Sequence, residues 1–282
     1  MAGLMPDLVD DEQLQSANSF IGIATNLAYI IGMVSGGILV AAVGPGQAIV
    51  IDGLSFLVAG ALVFTLRGTG TRREQGEHSP TMFDDLVHGW REFTSRKWIV
   101  VVVGGYSIMQ MLWESLFAVL GPVRAKEALG GARPWSWILA AWSIGTLLGV
   151  IAMFRVHLKR PLRTALLWQF GMASWFFALG LTPSIGIAMV AAFTCGIGMD
   201  VFFVVWQTAL QTHVPKDALS RVSSYDAFGS LVFSPLGLLF AGPLAQRFGT
   251  TQVLTAFGAL FIATLLVVLS FRDVRHLAPP PE

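Results

Sequence analysis

Long apolar runs, separated by short polar or glycine-proline breaks, set the pattern of this chain. An α-helix rising 1.5 Å per residue needs about 20 apolar residues to cross a hydrocarbon core of about 30 Å. Eight runs meet or approach that length, near Ala17–Val43, Ala48–Leu66, Trp98–Leu120, Ser136–Phe154, Ala165–Leu181, Ile185–Leu210, Val222–Ala245 and Val253–Phe271. The pattern predicts an all-α, polytopic membrane protein of about eight transmembrane helices. Breaks such as Gly44-Pro45-Gly46 and Thr182-Pro183-Ser184 predict tight turns between antiparallel helices. The one long polar interval lies between residues 68 and 97. Its end, Met82–Thr94, spaces Phe83, Leu86, Val87, Trp90 and Phe93 at helical intervals, which predicts an amphipathic helix along the membrane surface. The expected organisation is a helix pair over 1–67, a cytoplasmic linker over 68–97, a six-helix bundle over 98–275 and a tail over 276–282.

The chain also repeats itself. Val9–Arg67 recurs without a gap as Val214–Arg272, at a constant offset (219 − 14 = 205 for Leu14 and Leu219). The same offset carries Ser19 to Ser224, Gly32 to Gly237, Gly44 to Gly249, Gly53 to Gly258 and Phe56 to Phe261. Glycines dominate the shared positions, so the copies share a fold more than a chemistry. The second copy follows a long stretch of apolar helix and the first follows almost none. The expectation is a two-fold repeat protein without the front of its first half.

Composition supports the membrane reading: 54% of residues are hydrophobic and 12% charged. A net charge of +1 gives no reason to expect nucleic acid as a partner. Cys195 is the single cysteine, so no internal disulfide forms. Met1–Gln15 is acidic and polar, unlike a cleavable signal. With eight spans, all 18 Lys and Arg except Arg124, Lys126, Arg133 and Arg247 fall on the side that holds both termini. That bias makes both termini and the linker cytoplasmic, in the cell membrane.

Certain residues resemble a family. Gln207–Pro215 (QTALQTHVP), followed by Leu219–Ser224 (LSRVSS), resembles the junction between the tenth and eleventh helices of major facilitator superfamily transporters. The nearest branch is that of the enterobactin exporter and the macrolide efflux proteins. Pro235–Gly237 and Ala241–Ala245 continue the likeness. Met5–Val9 with Leu14–Ser19 resembles the junction before the fifth helix, and Ile51–Leu57 the sixth helix. The resemblance implies a twelve-helix fold of two bundles, of which this chain carries helices five to twelve. The family's basic-acidic loop between helices two and three would then be missing. Its second-half counterpart, Arg155–Arg160, keeps only the basic character. The implied function is proton-coupled export of a small amphipathic molecule, such as a drug or a siderophore. The alternative is a truncated membrane remnant that does not transport.

Four carboxylates fall inside or at the ends of apolar runs, where an ionised group needs a partner, water or a cavity. Asp200 lies mid-run, after Gly196-Ile197-Gly198 and before Phe202, Phe203 and Trp206. It is the leading candidate for carrying a proton; the competing reading is a carboxylate that only fixes helix packing. Glu114 shares a helix face with Gln110, four residues earlier, near the outer end of its run. It either lines a cavity or pairs with Arg124 or Lys126. Asp52 is expected to cap or snorkel. Asp226 is expected one turn into its helix, near Arg221 or Lys216, in a structural role.

Gln110, Gln169, Gln207, Asn26 and Tyr29 are candidates for lining a pathway or for holding helices together. Trp142, Trp175 and Trp206 sit deep enough either to stack on a flat substrate or to pack facing the lipid. Gly145-Thr146-Leu147-Leu148-Gly149 and Gly32–Gly36 read as close helix-packing patterns. No metal-ligand spacing, nucleophile elbow or phosphate-cradling loop occurs, so neither an enzyme nor a cofactor is expected. Without an ATP motif, transport would draw on an ion gradient. The expected partners are a small-molecule substrate and the lipid bilayer.

Overall fold

The computed structural model describes residue 9 and residues 13–65, 82–156 and 158–277. Met5–Leu8, residues 66–81 of the polar interval and residues 278–282 lie outside the described residues, as does the side chain of Tyr29. Regular structure among the described residues is helical throughout: α1 (Leu14–Val43), α2 (Pro45–Thr65), α3 (Met82–Ser95), α4 (Lys97–Leu129), α5 (Ala132–Met153), α6 (Pro161–Leu181), α7 (Ile185–His213), α8 (Ala218–Phe248), α9 (Thr250–Ser270) and α10 (Arg272–Arg275). Among the described residues, six helices, α4 to α9, are long and apolar enough to cross a membrane. The chain forms two compact units, one of residues 1–23 and 85–282, the other of residues 24–84.

The larger unit holds α3 to α10 and the first turns of α1. Its core runs through Ile99, Leu112, Leu116 and Leu120 of α4, Trp175 and Phe176 of α6, and Leu254 and Phe261 of α9, each fully or nearly fully buried. The most intimate helix pair is α5 with α7. A Cβ placed on Gly145 would strike the Phe193 carbonyl, and one on Gly196 would strike the Trp142 carbonyl. In lipid, where exposed apolar surface carries no penalty, such backbone approach is a main source of helix association. The Gly145–Gly149 pattern is therefore a packing seam, as expected.

The smaller unit is an apolar helix pair. Phe56 and Leu57 of α2 are each 70% exposed, a surface that suits hydrocarbon and not water. Gly44, between α1 and α2, has φ +83, and its carbonyl accepts from the Ala48 amide at 3.1 Å. In the larger unit Gly249, between α8 and α9, has φ +88 and accepts from Val253 at 3.2 Å. The sequence repeat thus reproduces the same turn, at a backbone angle that glycine alone adopts at little cost.

Three boundaries differ from the sequence expectation. α4 does not stop at Leu120; it continues to Leu129 through two π-helical turns, Ser115–Leu120 and Ala125–Leu129. Pro122 lacks an amide hydrogen, and the Gly121 amide bonds back to Leu116, so the helix widens instead of ending. α6 breaks at Gln169. α8 breaks at Val232 and Phe233, just ahead of Pro235. The amphipathic helix expected over Met82–Thr94 is present as α3. It buries Phe93 and sets Trp90 edge-on to Tyr225 at 5.5 Å.

Candidate functional site

Two of the carboxylates expected near helix ends, Glu114 and Asp226, lie deeper than the sequence suggested. Because α4 runs on past Leu120, Glu114 falls near the middle of a 33-residue helix. Its Oε1 accepts from Gln110 Nε2 at 3.1 Å, the pairing that their spacing predicted. Arg124, one of its alternative partners, instead donates from Nε to the Leu179 carbonyl at 2.8 Å, capping the end of α6.

Asp226 also departs from expectation. α8 begins at Ala218, so the carboxylate is well past the first turn, where the helix dipole would favour it. It is buried, 8% exposed, and accepts from Trp206 Nε1 at 3.0 Å and Ser230 Oγ at 3.4 Å. Trp206 is thereby used within the bundle. It stacks on Phe202 with ring centres 6.0 Å apart and meets Trp98 edge-on at 5.5 Å.

Asp200 is half-buried near the middle of α7. Phe202, two residues on, stacks on Tyr106 of α4 at 5.2 Å. Three apolar helices, α4, α7 and α8, thus each carry one acidic side chain within the span: Glu114, Asp200 and Asp226. Gln207 is half-buried one residue beyond Trp206. Asp52 is exposed on α2, and Asn26 is half-buried on α1.

A second aromatic group adjoins Glu114. Trp113 lies 5.2 Å from Phe117, 5.8 Å from Trp142 and 5.6 Å from Trp175. The indole N–H groups of Trp142 and Trp175 are buried with no hydrogen-bond partner among the described residues, as is Gln169 Oε1 at the break in α6. Buried polar atoms without partners are costly, so these three groups weaken the packing around them.

Two features escaped the sequence reading. Tyr106 stood unremarked in an apolar run. Asn18, at the start of α1, is 3% exposed and forms a buried polar knot with the far end of α7. Its Nδ2 donates to Gln211 Oε1 at 2.6 Å and to Thr208 Oγ1 at 3.1 Å, and Gln211 Nε2 returns a bond to Asn18 Oδ1 at 3.3 Å. The neighbouring Gln15 Nε2 donates to the Val156 carbonyl at 2.9 Å and also to that of Met153 at the end of α5. The available signal was an amide at one end of each of two apolar runs, a pattern that announces a partner but does not name it.

The Major Facilitator Superfamily model matches residues 1–234. Among curated relatives, the multidrug efflux pump Tap of Mycolicibacterium fortuitum is 25% identical over 94% of this chain and 65% of its own length. Tap of Mycobacterium tuberculosis (strain ATCC 25618 / H37Rv) is 27% identical over 91% of this chain and 62% of its own. The uncharacterized MFS-type transporter YvqJ of Bacillus subtilis (strain 168) is 24% identical over 95% and 64%. The chain therefore spans a little under two thirds of the length of these relatives.

Proposed function

Since the chain belongs to the major facilitator superfamily, and so is a multi-pass membrane protein of a transporter family, we propose that it works in proton-driven export of a small amphipathic molecule. The observation that carries this reading is the placement of three carboxylates, Asp200, Asp226 and Glu114, within helices apolar enough to cross a membrane. An ionised carboxylate there is expensive, so a group that gains and loses a proton as the bundle opens to either side couples proton movement to that opening. The multidrug pumps among its relatives support an amphipathic substrate.

In this reading α1 and α2 are the fifth and sixth helices of a twelve-helix fold, α4 to α9 are the seventh to twelfth, and both termini are cytoplasmic. The repeat at the Gly44 and Gly249 turns supports that numbering, because it makes the two helix pairs equivalent. Asp200 carries the proton. Glu114, Gln110 and Gln207 line the path, and Trp206 holds Asp226 in place. Trp142, half-buried beside Trp113 and Phe117, offers a flat face to a substrate. The Asn18–Gln211–Thr208 knot and the Gln15 bonds close the cytoplasmic side and must part when that side opens.

The test is Asp200→Asn in the intact transporter, reconstituted in vesicles with and without a pH gradient. Asparagine keeps shape and hydrogen bonding while removing the titrating proton. The variant should insert normally, bind substrate and lose gradient-driven efflux. Undiminished gradient-driven efflux would assign Asp200 to packing and leave Glu114 as the carrier.

A further inference from the structure

We propose that the end of the larger unit formed by the α5–α6 loop, the start of α6 and α10 binds the phosphate-bearing headgroups of anionic lipids. The inference requires only that the chain crosses a membrane, not that it transports.

Charge along the chain is the first observation. Between Glu127 and Asp200 there is no acidic residue, yet Arg155, Lys159, Arg160 and Arg163 fall within one short stretch of that interval. All four are exposed, and among the described residues none takes part in an ion pair or a side-chain hydrogen bond. The ion pair formed elsewhere in the bundle, Arg96 with Glu92 at 2.7 Å, involves a half-buried cation.

The second observation concerns the backbone. α6 starts at Pro161 with Arg160 as its N-cap, and no side chain caps it. Its first-turn amides therefore lie beside Arg160 and Arg163, free of a capping side chain.

The third observation is a guanidinium with an unmet donor. α10 packs against the first segment of α6 and adds Arg272 and Arg275 to this end. Arg275 gives Nη2 to the Ser270 carbonyl at 3.1 Å, whereas its Nε is buried without a partner among the described residues. Asp273 is the carboxylate on that element, and it is exposed. An anion held between α6 and α10 would satisfy the donor.

The bilayer supplies such an anion at the right level. Val156 in the loop and Leu167 and Trp168, about two turns into α6, are 43%, 44% and 43% exposed. Apolar and indole side chains at those positions set the loop at the boundary between hydrocarbon and headgroups. The cations then stand at phosphate height, where lysine and arginine extend outward along their apolar stems. A bias in topology alone accounts for the sign of the charge. It does not account for cations left unpaired beside uncapped amides and a buried, unsatisfied guanidinium nitrogen.

The full chain in phosphatidylcholine nanodiscs, with phosphatidylglycerol added in steps, tests the idea by native mass spectrometry of retained lipid and by thermal unfolding. Phosphatidylglycerol should be retained in preference to phosphatidylcholine and should raise the unfolding temperature. Arg155→Gln, Lys159→Gln, Arg160→Gln and Arg163→Gln should each weaken retention about fivefold, while Lys126→Gln with Arg133→Gln should leave it unchanged. If one of these variants fails to insert, the others and the preference of the unaltered protein still decide the matter. Equal retention of both lipids, or retention unchanged in the variants, would overturn the proposal. So would displacement of phosphatidylglycerol by inorganic phosphate in the buffer, which would reveal a site for a soluble anion.

Discussion

Trp206→Phe isolates the bond that holds Asp226. Phenylalanine keeps a ring that can stack on Phe202 and meet Trp98, and it removes only the donor that reaches Asp226 Oδ2 at 3.0 Å. The carboxylate, 8% exposed, is then left with Ser230 Oγ at 3.4 Å, a long bond. Losing a hydrogen bond to a buried charged group costs about 1.5–3 kcal/mol. Trimming an indole to a phenyl ring in a packed core adds about 1 kcal/mol more. A double-mutant cycle separates the two contributions. In an Asp226→Leu background the bond no longer exists, so Trp206→Phe should there cost only the packing part. Equilibrium unfolding in detergent micelles, followed by near-ultraviolet circular dichroism, measures all four proteins. A coupling energy below about 0.5 kcal/mol would refute the claim that Trp206 supports Asp226. It would return the indole to the role of a ring available to substrate.

Other substitutions test separate parts of the fold. Gly145→Leu would drive a side chain into the Phe193 carbonyl. It should destabilise the bundle by at least about 1–3 kcal/mol in the same unfolding assay, while Ile144→Leu, on an exposed face, should change little. Asn18→Leu should cost about 0.6–2 kcal/mol, and adding Gln211→Leu should cost little beyond that, because the two amides serve one network. Gly249→Ala must hold a side chain at φ +88 and should lower stability by about 1–3 kcal/mol, measured as a fall in unfolding midpoint. For topology, Ser184→Cys should react with an impermeant thiol reagent from outside, and His78→Cys only from the cytoplasm; the reverse pattern would overturn the orientation.

Helices and turns were legible in the sequence because lipid simplifies the code. A run of apolar residues must satisfy its backbone within itself, so length and punctuation locate a span without knowledge of its neighbours. The Gly44 turn, the α5–α7 seam at Gly145 and the Gln110–Glu114 pair all rest on spacing within a few residues. The far end of α4 was not legible, because Gly121-Pro122 followed by Arg124 and Lys126 reads as an exit from the membrane. The helix passes the proline by widening to a π-turn, and Arg124 finds a carbonyl at the end of α6. Nor was the company of Asp226 legible. Periodicity shows which residues share a face of one helix, but in a span that is apolar on all sides it does not show which faces meet. Tyr106, Trp206 and Asp226 come together only through the packing of α4, α7 and α8.

The Gly44 and Gly249 turns also bear on how the protein is made. Each closes with one glycine and one amide bond reaching four residues along the chain, so it asks nothing of distant segments. Closure of so short a loop takes well under a microsecond, whereas residues leave the ribosome at about 5–20 per second. Each helix pair can therefore enter the bilayer already folded back on itself, as a hairpin with its polar turn leading. What remains is lateral: α5 must find α7 within the plane of the membrane, and the glycine seam that joins them belongs to assembly, after insertion is complete.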